Sequence, residues 1–124
     1  MSQLPILTEL RDKEHLYELL QSNPGLLVIK FGAEWCGPCK AIEETVKKYF
    51  QNSPSNVQCM VVDIDEHLEV YAFLKTKKVV NGIPVLLCYQ KGNLNYIPDD
   101  VMIGSNKTEI AAFFERCASR AANV

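Results

Sequence analysis

The stretch Leu26-Leu27-Val28-Ile29-Lys30-Phe31-Gly32-Ala33-Glu34-Trp35-Cys36-Gly37-Pro38-Cys39-Lys40 decides the fold. Leu26 to Phe31 is an apolar run broken only by Lys30. A short run of that kind predicts a strand buried on both faces. From Cys39 onward Ile42, Val46, Tyr49 and Phe50 recur at helical spacing, with Glu43 and Lys47, and Glu44 and Lys48, paired i,i+4 on the opposite side. Cys36 and Cys39 therefore stand at a strand-to-helix junction. Backbone N–H groups and the helix dipole meet there, and both favour the thiolate form of Cys36. Pro38 suits the first helical turn because it gives up an N–H that has no partner there. Cys39 falls on the same helix face, so the two sulfurs can approach bonding distance. Unequal roles follow: Cys36, at the exposed end, attacks a disulfide, and Cys39 resolves the mixed disulfide from within.

Working outward, residues 4 to 10 read as a short first strand, and Asp12 as the cap of a helix with Leu16, Leu19 and Leu20 on its apolar side. Asn23, Pro24 and Gly25 stop that helix. Beyond the central helix, Val57 to Ile64 has the β-branched content of a strand. A helix beginning near Glu66 should bury Leu68, Tyr71, Ala72 and Leu74, ahead of the solvated basic stretch Lys75, Lys77 and Lys78. Pro84 opens the apolar run Val85 to Tyr89, and Lys91-Gly92-Asn93 turns it into a strand over 94 to 103, confined to a sheet edge by Pro98. Lys107 to Arg120 closes the chain as a helix bearing Ile110, Phe113, Phe114 and Cys117 on one side. The order of elements is α/β, with a mixed sheet covered on both faces.

The 124 residues suit one domain, residues 1–124, and 48% hydrophobic with 23% charged residues describes a folded globular chain. A net charge of -2, with Lys and Arg spread along the chain, lacks the footprint of a nucleic-acid binder. The start lacks a secretory pattern and no run is long enough to span a bilayer, so the expectation is a cytoplasmic protein. Five cysteines, three of them isolated at Cys59, Cys88 and Cys117, do not make a secreted disulfide framework. Structural zinc is the competing use of the Cys36 and Cys39 pair, but it needs four ligands, and with His15 and His67 the chain offers no second close pair. Cys59 and Cys88 lie within apolar strand patterns and read as inert buried thiols. Cys117 lies near a terminus that can fray, which leaves a reactive role open.

Ala33-Glu34-Trp35-Cys36-Gly37-Pro38-Cys39-Lys40 resembles the active-site signature of the thioredoxin family, and Gly82-Ile83-Pro84 resembles the segment carrying that family's cis-proline. Val62-Asp63-Ile64-Asp65 is similar to the third strand, Gly92 to the hairpin turn, and Ile103-Gly104 to the loop facing the active site. The resemblance implies a thioredoxin fold, an attacking Cys36 and a resolving Cys39. It also implies a cis Pro84 across from the cysteines, leaving the Ile83 backbone to pair with substrate. Trp35, Gly37, Pro38, Gly104 and Ser105 complete the implied substrate surface. The implied activity is reduction of protein disulfides by a monomer with no bound cofactor or metal. No GxGxxG nucleotide fingerprint occurs, so reducing power must come from a partner, and the resemblance implies that the partner is a thioredoxin-reductase-like flavoenzyme drawing on NADPH. An oxidase, an isomerase, or a redox-regulated binding module for one dedicated partner are the alternatives.

Several positions depart from the family pattern. The buried Asp five residues before the active-site Trp is Lys30 here, its neighbour on the next strand is Val61, Gly32 stands three before the Trp, and Glu44 replaces a helix-kinking proline. A straighter helix is expected. Lys30 is expected beneath the cysteines, its pKa depressed by burial, tuning their reactivity as a base when neutral or as a counter-charge when protonated. The competing reading packs its stem in the core and lets the ammonium reach water. The segments Asp65 to Pro84 and Gly92 to Gly104 are each about four residues longer than the family pattern, an insertion size that loops absorb at little thermodynamic cost.

Overall fold

A computed structural model describes residues 3–124. In chain order the elements are α1 (Lys13–Gln21), β1 (Leu26–Gly32), α2 (Gly37–Gln51), β2 (Val57–Asp63), α3 (Leu68–Thr76), β3 (Val85–Gln90), β4 (Asp100–Ile103) and α4 (Lys107–Ala122). The strands lie in the order β2-β1-β3-β4. β2 runs parallel to β1, whereas β3 and β4 are antiparallel to their neighbours, giving the mixed sheet the element pattern implies.

β1 occupies an inner position, and six of its seven residues are buried. Side chains alternate across a strand. Leu27, Ile29 and Phe31 accordingly enter the core with Leu16 and Leu20 of α1 and Val70 and Leu74 of α3. Leu26 and Val28 enter the opposite core with Ile42, Val46 and Phe50 of α2 and Ile110 and Phe113 of α4. The same alternation turns Lys30 toward α2. Asp12 caps α1 as its sequence suggests, accepting a bond from the His15 N–H at 2.8 Å. α2 runs without interruption through Glu44. Neither of its expected i,i+4 pairs closes to a salt bridge among the described residues.

Three expectations fail. Residues 4 to 10 contribute one isolated bridge, Leu7 to Met60, rather than a strand. The strand expected over 94 to 103 shortens to β4, an edge strand that excludes Pro98. The reason lies in the connecting loop: Asn93 Oδ1 accepts from the Asn95 N–H, Asn95 Oδ1 from the Ile97 N–H, and Asp99 Oδ2 from the Gln90 N–H. Short polar side chains that capture backbone donors compete with a ladder. α3 begins at Leu68, two residues after the expected start near Glu66, and buries Tyr71 and Leu74 as expected but Val70 in place of Leu68 and Ala72. Val70, Tyr71 and Leu74 are buried, while Leu68 is 65% exposed and Ala72 lies on the surface. Tyr71 sets that phase, because its hydroxyl donates to Gly82 O and accepts from the Gly82 N–H, at 3.1 and 3.0 Å.

Candidate active site

The end of β1 delivers the chain into α2 through Ala33, Glu34 and Trp35, so Cys36 falls on the N-cap. Its Sγ accepts from the Cys39 N–H at 3.1 Å, satisfying one of the donors that the first helical turn leaves without a partner. Cys36 and Cys39 are joined as a disulfide, the oxidised form of the pair. Total exposure does not separate the two cysteines, at 5% and 4%. Their surroundings do. Cys36 Sγ lies 4.0 Å from Ile83 O on the outer side, and Cys39 lines a cavity on the inner side.

The Ile83–Pro84 peptide is cis and faces the disulfide. Tyr71 grips Gly82 immediately before it, and Pro84 O accepts from the Gly104 N–H at 2.9 Å. Gly104 has φ 94°, a left-handed conformation that glycine adopts without steric cost. These bonds fix Gly82, Pro84 and Gly104 around Ile83, whose carbonyl faces Cys36. Trp35 is 68% exposed beside it, its ring oriented by Nε1–H donating to Asp65 Oδ2 at 2.7 Å. Gly37 and Pro38 are exposed in the first turn of α2, and Ile103 is 63% exposed next to Gly104.

Beneath the pair, Lys30 is 6% exposed and sits in register between Val61 of β2 and Leu86 of β3. Neither neighbour offers a counter-charge. A Cβ on Gly32 would stand 3.5 Å from Cys39 Sγ and 3.9 Å from Lys30 Cε, so the missing side chain of Gly32 leaves one gap that the thiol and the lysine tip both border. The gap opens into a cavity of about 200 Å³ lined by Lys30, Gly32, Cys39, Glu43, Val61 and Asp63, among others. Burial lowers the Lys30 pKa, and the Glu43 carboxylate partly opposes that shift. The Lys30 stem is buried, and its tip borders the cavity beneath Cys39.

Residues 7–116 match the family model described as Thioredoxin. The chain belongs to the thioredoxin family. Thioredoxin 3 of Plasmodium falciparum is 29% identical over 118 residues, covering 94% of this chain and 62% of that protein. Thioredoxin-2 of Saccharomyces cerevisiae is 32% identical over 87 residues, covering 70% of this chain and 79% of that one. A solved structure of Trichomonas vaginalis thioredoxin superposes with a TM-score of 0.73 at 25% identity, covering 91% of this chain and 97% of that chain. The chain spans less than two thirds of the length of the Plasmodium relative. The α/β architecture is the thioredoxin fold, and Cys36 and Cys39 stand joined as a disulfide at its helix-starting junction.

Thiol-disulfide exchange keeps its two electrons on the sulfurs and needs no bound cofactor. Among the described residues no group of His, Cys, Asp and Glu side chains is arranged to hold a metal ion, and no helix is long and apolar enough to cross a membrane. Three contributors escaped the sequence reading. Asp65 lay inside a recognised strand motif, Tyr71 looked like a core aromatic, and Glu43 looked like half of a surface ion pair. Only the i+4 spacing from Cys39 to Glu43 was visible as a signal, and it was available to any solvated helix face.

Proposed function

We propose that this chain acts as a single thioredoxin-like domain that reduces protein disulfides by dithiol-disulfide exchange. The observation that carries the reading is the Cys36–Cys39 disulfide on the N-cap of α2, opposite the cis Ile83–Pro84 segment. Cys36 is the attacking sulfur, since it sits on the outer side where a substrate can reach it and where the helix terminus favours a thiolate. Cys39 resolves the mixed disulfide from the inner side. A substrate strand pairs with the Ile83 backbone and rests against Trp35, Gly37, Pro38, Pro84, Gly104 and Ser105. Lys30 tunes the pair from below. The domain works as a cytoplasmic monomer in electron transport and cell redox homeostasis, recharged from NADPH by a thioredoxin-reductase-like flavoenzyme.

A second reading draws on Lys30. A cation bordering the same gap as Cys39 favours thiolate over disulfide, which moves the couple in the oxidising direction of an oxidase or isomerase. Insulin reduction separates the two. With dithiothreitol, and separately with NADPH and thioredoxin reductase, the wild type should precipitate insulin chains, Cys36→Ser should not, and Cys39→Ser should accumulate mixed disulfides on a non-reducing gel. Trapping by Cys36→Ser and not by Cys39→Ser would reverse the roles. Failure of both reductants to support turnover, with efficient oxidation of a reduced peptide, would favour the oxidase.

A further inference from the structure

We propose that Glu43 accepts the proton of Cys39 when that thiol resolves the mixed disulfide, working across the cavity that Lys30 closes from below. The proposal rests on the dithiol cycle described above and assigns its proton. Glu43 follows Cys39 by one helical turn, so the two share a face of α2. Both line the cavity, Cys39 buried at its inner end and Glu43 exposed at its mouth. Cys39 is too enclosed to lose its proton directly to bulk solvent. A cavity of about 200 Å³ with several polar groups on its wall holds water readily, and such water can connect the thiol to the carboxylate.

The other charged groups facing the cavity are less suited. Asp63, at the end of β2, spends Oδ1 on the Asp65 N–H at 2.8 Å. Glu34 lies in the connection before Trp35, outside α2, and Lys40 of α2 cannot accept a proton. The flanking strand residues Val61 and Leu86 do not titrate. Of the three carboxylates, Glu43 is the one whose charge acts on Lys30, which places it electrostatically against the floor of the cavity.

The step balances as follows. Cys39 Sγ bonds to Cys36 Sγ as the bond from Cys36 to the substrate sulfur breaks, and the substrate sulfur leaves with the electron pair as a thiolate. The Cys39 proton passes through cavity water to Glu43 and from its exposed carboxylate to solvent. The dithiol loses two electrons and the substrate disulfide gains them. A protonated Lys30 at the opposite wall stabilises negative charge developing on Cys39 while that transfer occurs.

Stopped-flow absorbance with the fully reduced chain and one equivalent of dithionitrobenzoate reads the two chemical steps separately. Attack by Cys36 releases one coloured thiolate, and resolution by Cys39 releases the second. General bases contribute about 10²–10⁴-fold, and a carboxylate is weakly basic for a thiol, so Glu43→Gln should slow the second phase about tenfold or more at pH 7. The first phase should stay within about twofold of wild type, because Glu43 has no part in attack by Cys36. Raising the pH should narrow the gap, because hydroxide entering the cavity water takes up the proton in place of Glu43, and Glu43→Asp should recover part of the rate. Glu34→Gln should behave as wild type. An unchanged second phase in Glu43→Gln at every pH, or equal slowing by Glu34→Gln, would overturn the assignment while leaving the dithiol cycle intact. A wild type lacking the second phase would overturn the cycle itself.

Discussion

Replacing Lys30 with Met should stabilise the protein. Lys30 is 6% exposed, at an inner position of the sheet, with apolar Val61 and Leu86 on either side. Met keeps most of the unbranched stem and deletes the ammonium, so packing is retained while the desolvation penalty disappears. Exchanging buried charge for apolar side chains of similar volume gains up to about 1–4 kcal/mol. Because the lysine tip borders a cavity and feels Glu43, the low end applies, about 1 kcal/mol, or roughly 3–5 °C in Tm for a chain of this size. The gain must also depend on pH. Burial lowers the folded-state pKa of Lys30 below its value in the unfolded chain, so between the two the unfolded state binds more protons and wild-type stability rises with pH. The penalty is fully present below the folded-state pKa and fades as pH rises from there toward about pH 10.4, the ordinary lysine value. Urea unfolding of the oxidised proteins at neutral and alkaline pH measures both effects, oxidation keeping Cys36 and Cys39 out of the titration. A Lys30→Met protein less stable than wild type, or a difference unchanged by pH, would refute the reasoning.

Two further outcomes follow from groups away from the active site. Asp100 of β4 accepts from Arg116 Nε and Arg120 Nη1, each at 2.7 Å; burial alone would raise its pKa, but these bonds outweigh it and hold the carboxyl below its ordinary value. Asp100→Asn should cost about 2 kcal/mol at pH 7, and the wild-type advantage should be complete above the ordinary carboxylate range and fall away as pH drops through the depressed value, which urea midpoints at neutral and acid pH would show. Burial pushes the Cys59 thiol up to about 11, and contact with Cys88 together with burial pushes Cys117 up as well. A thiol reagent at pH 8 should therefore leave Cys59, Cys88 and Cys117 of the oxidised native protein unmodified and label all three in denaturant, and rapid native labelling of Cys117 would contradict this.

The sequence was most legible where one local pattern admits one structure. The apolar run into Trp35-Cys36-Gly37-Pro38-Cys39 specified β1, the N-cap and α2 together, because a buried strand, a helix-starting proline and 3.6-residue periodicity agree there. It was least legible where two patterns compete. In α3, Tyr71 and Leu74 can be buried together with either Leu68 and Ala72 or Val70, and a long-range bond from Tyr71 to Gly82 favours Val70. In the loop before β4, residues with strand-like alternation lose their ladder to Asn93, Asn95 and Asp99, whose capture of backbone groups is invisible to a periodicity argument. Residues 4 to 10 fail for a related reason, since pairing through Leu7 alone does not extend the sheet.

Lys30 shows how the same limit reaches the chemistry. Read along β1, it lacks a counter-charge, because Val61 and Leu86 are its sheet neighbours. Alternation sends its side chain out of the sheet plane toward α2, so any compensation has to come from the next layer. The position of α2 is fixed by Cys39, which must reach Cys36. Among residues following Cys39, the next turn of the same face is reached at i+3 and i+4. Ile42 fills the first position in the core, and Glu43 takes the second at the cavity rim. A surface-looking glutamate and a buried lysine, thirteen residues apart, therefore face one gap under the resolving thiol. In a double-mutant cycle Lys30→Met should stabilise more in a Glu43→Gln background than in wild type, by a coupling of about 0.2–1 kcal/mol for a pair this open to solvent.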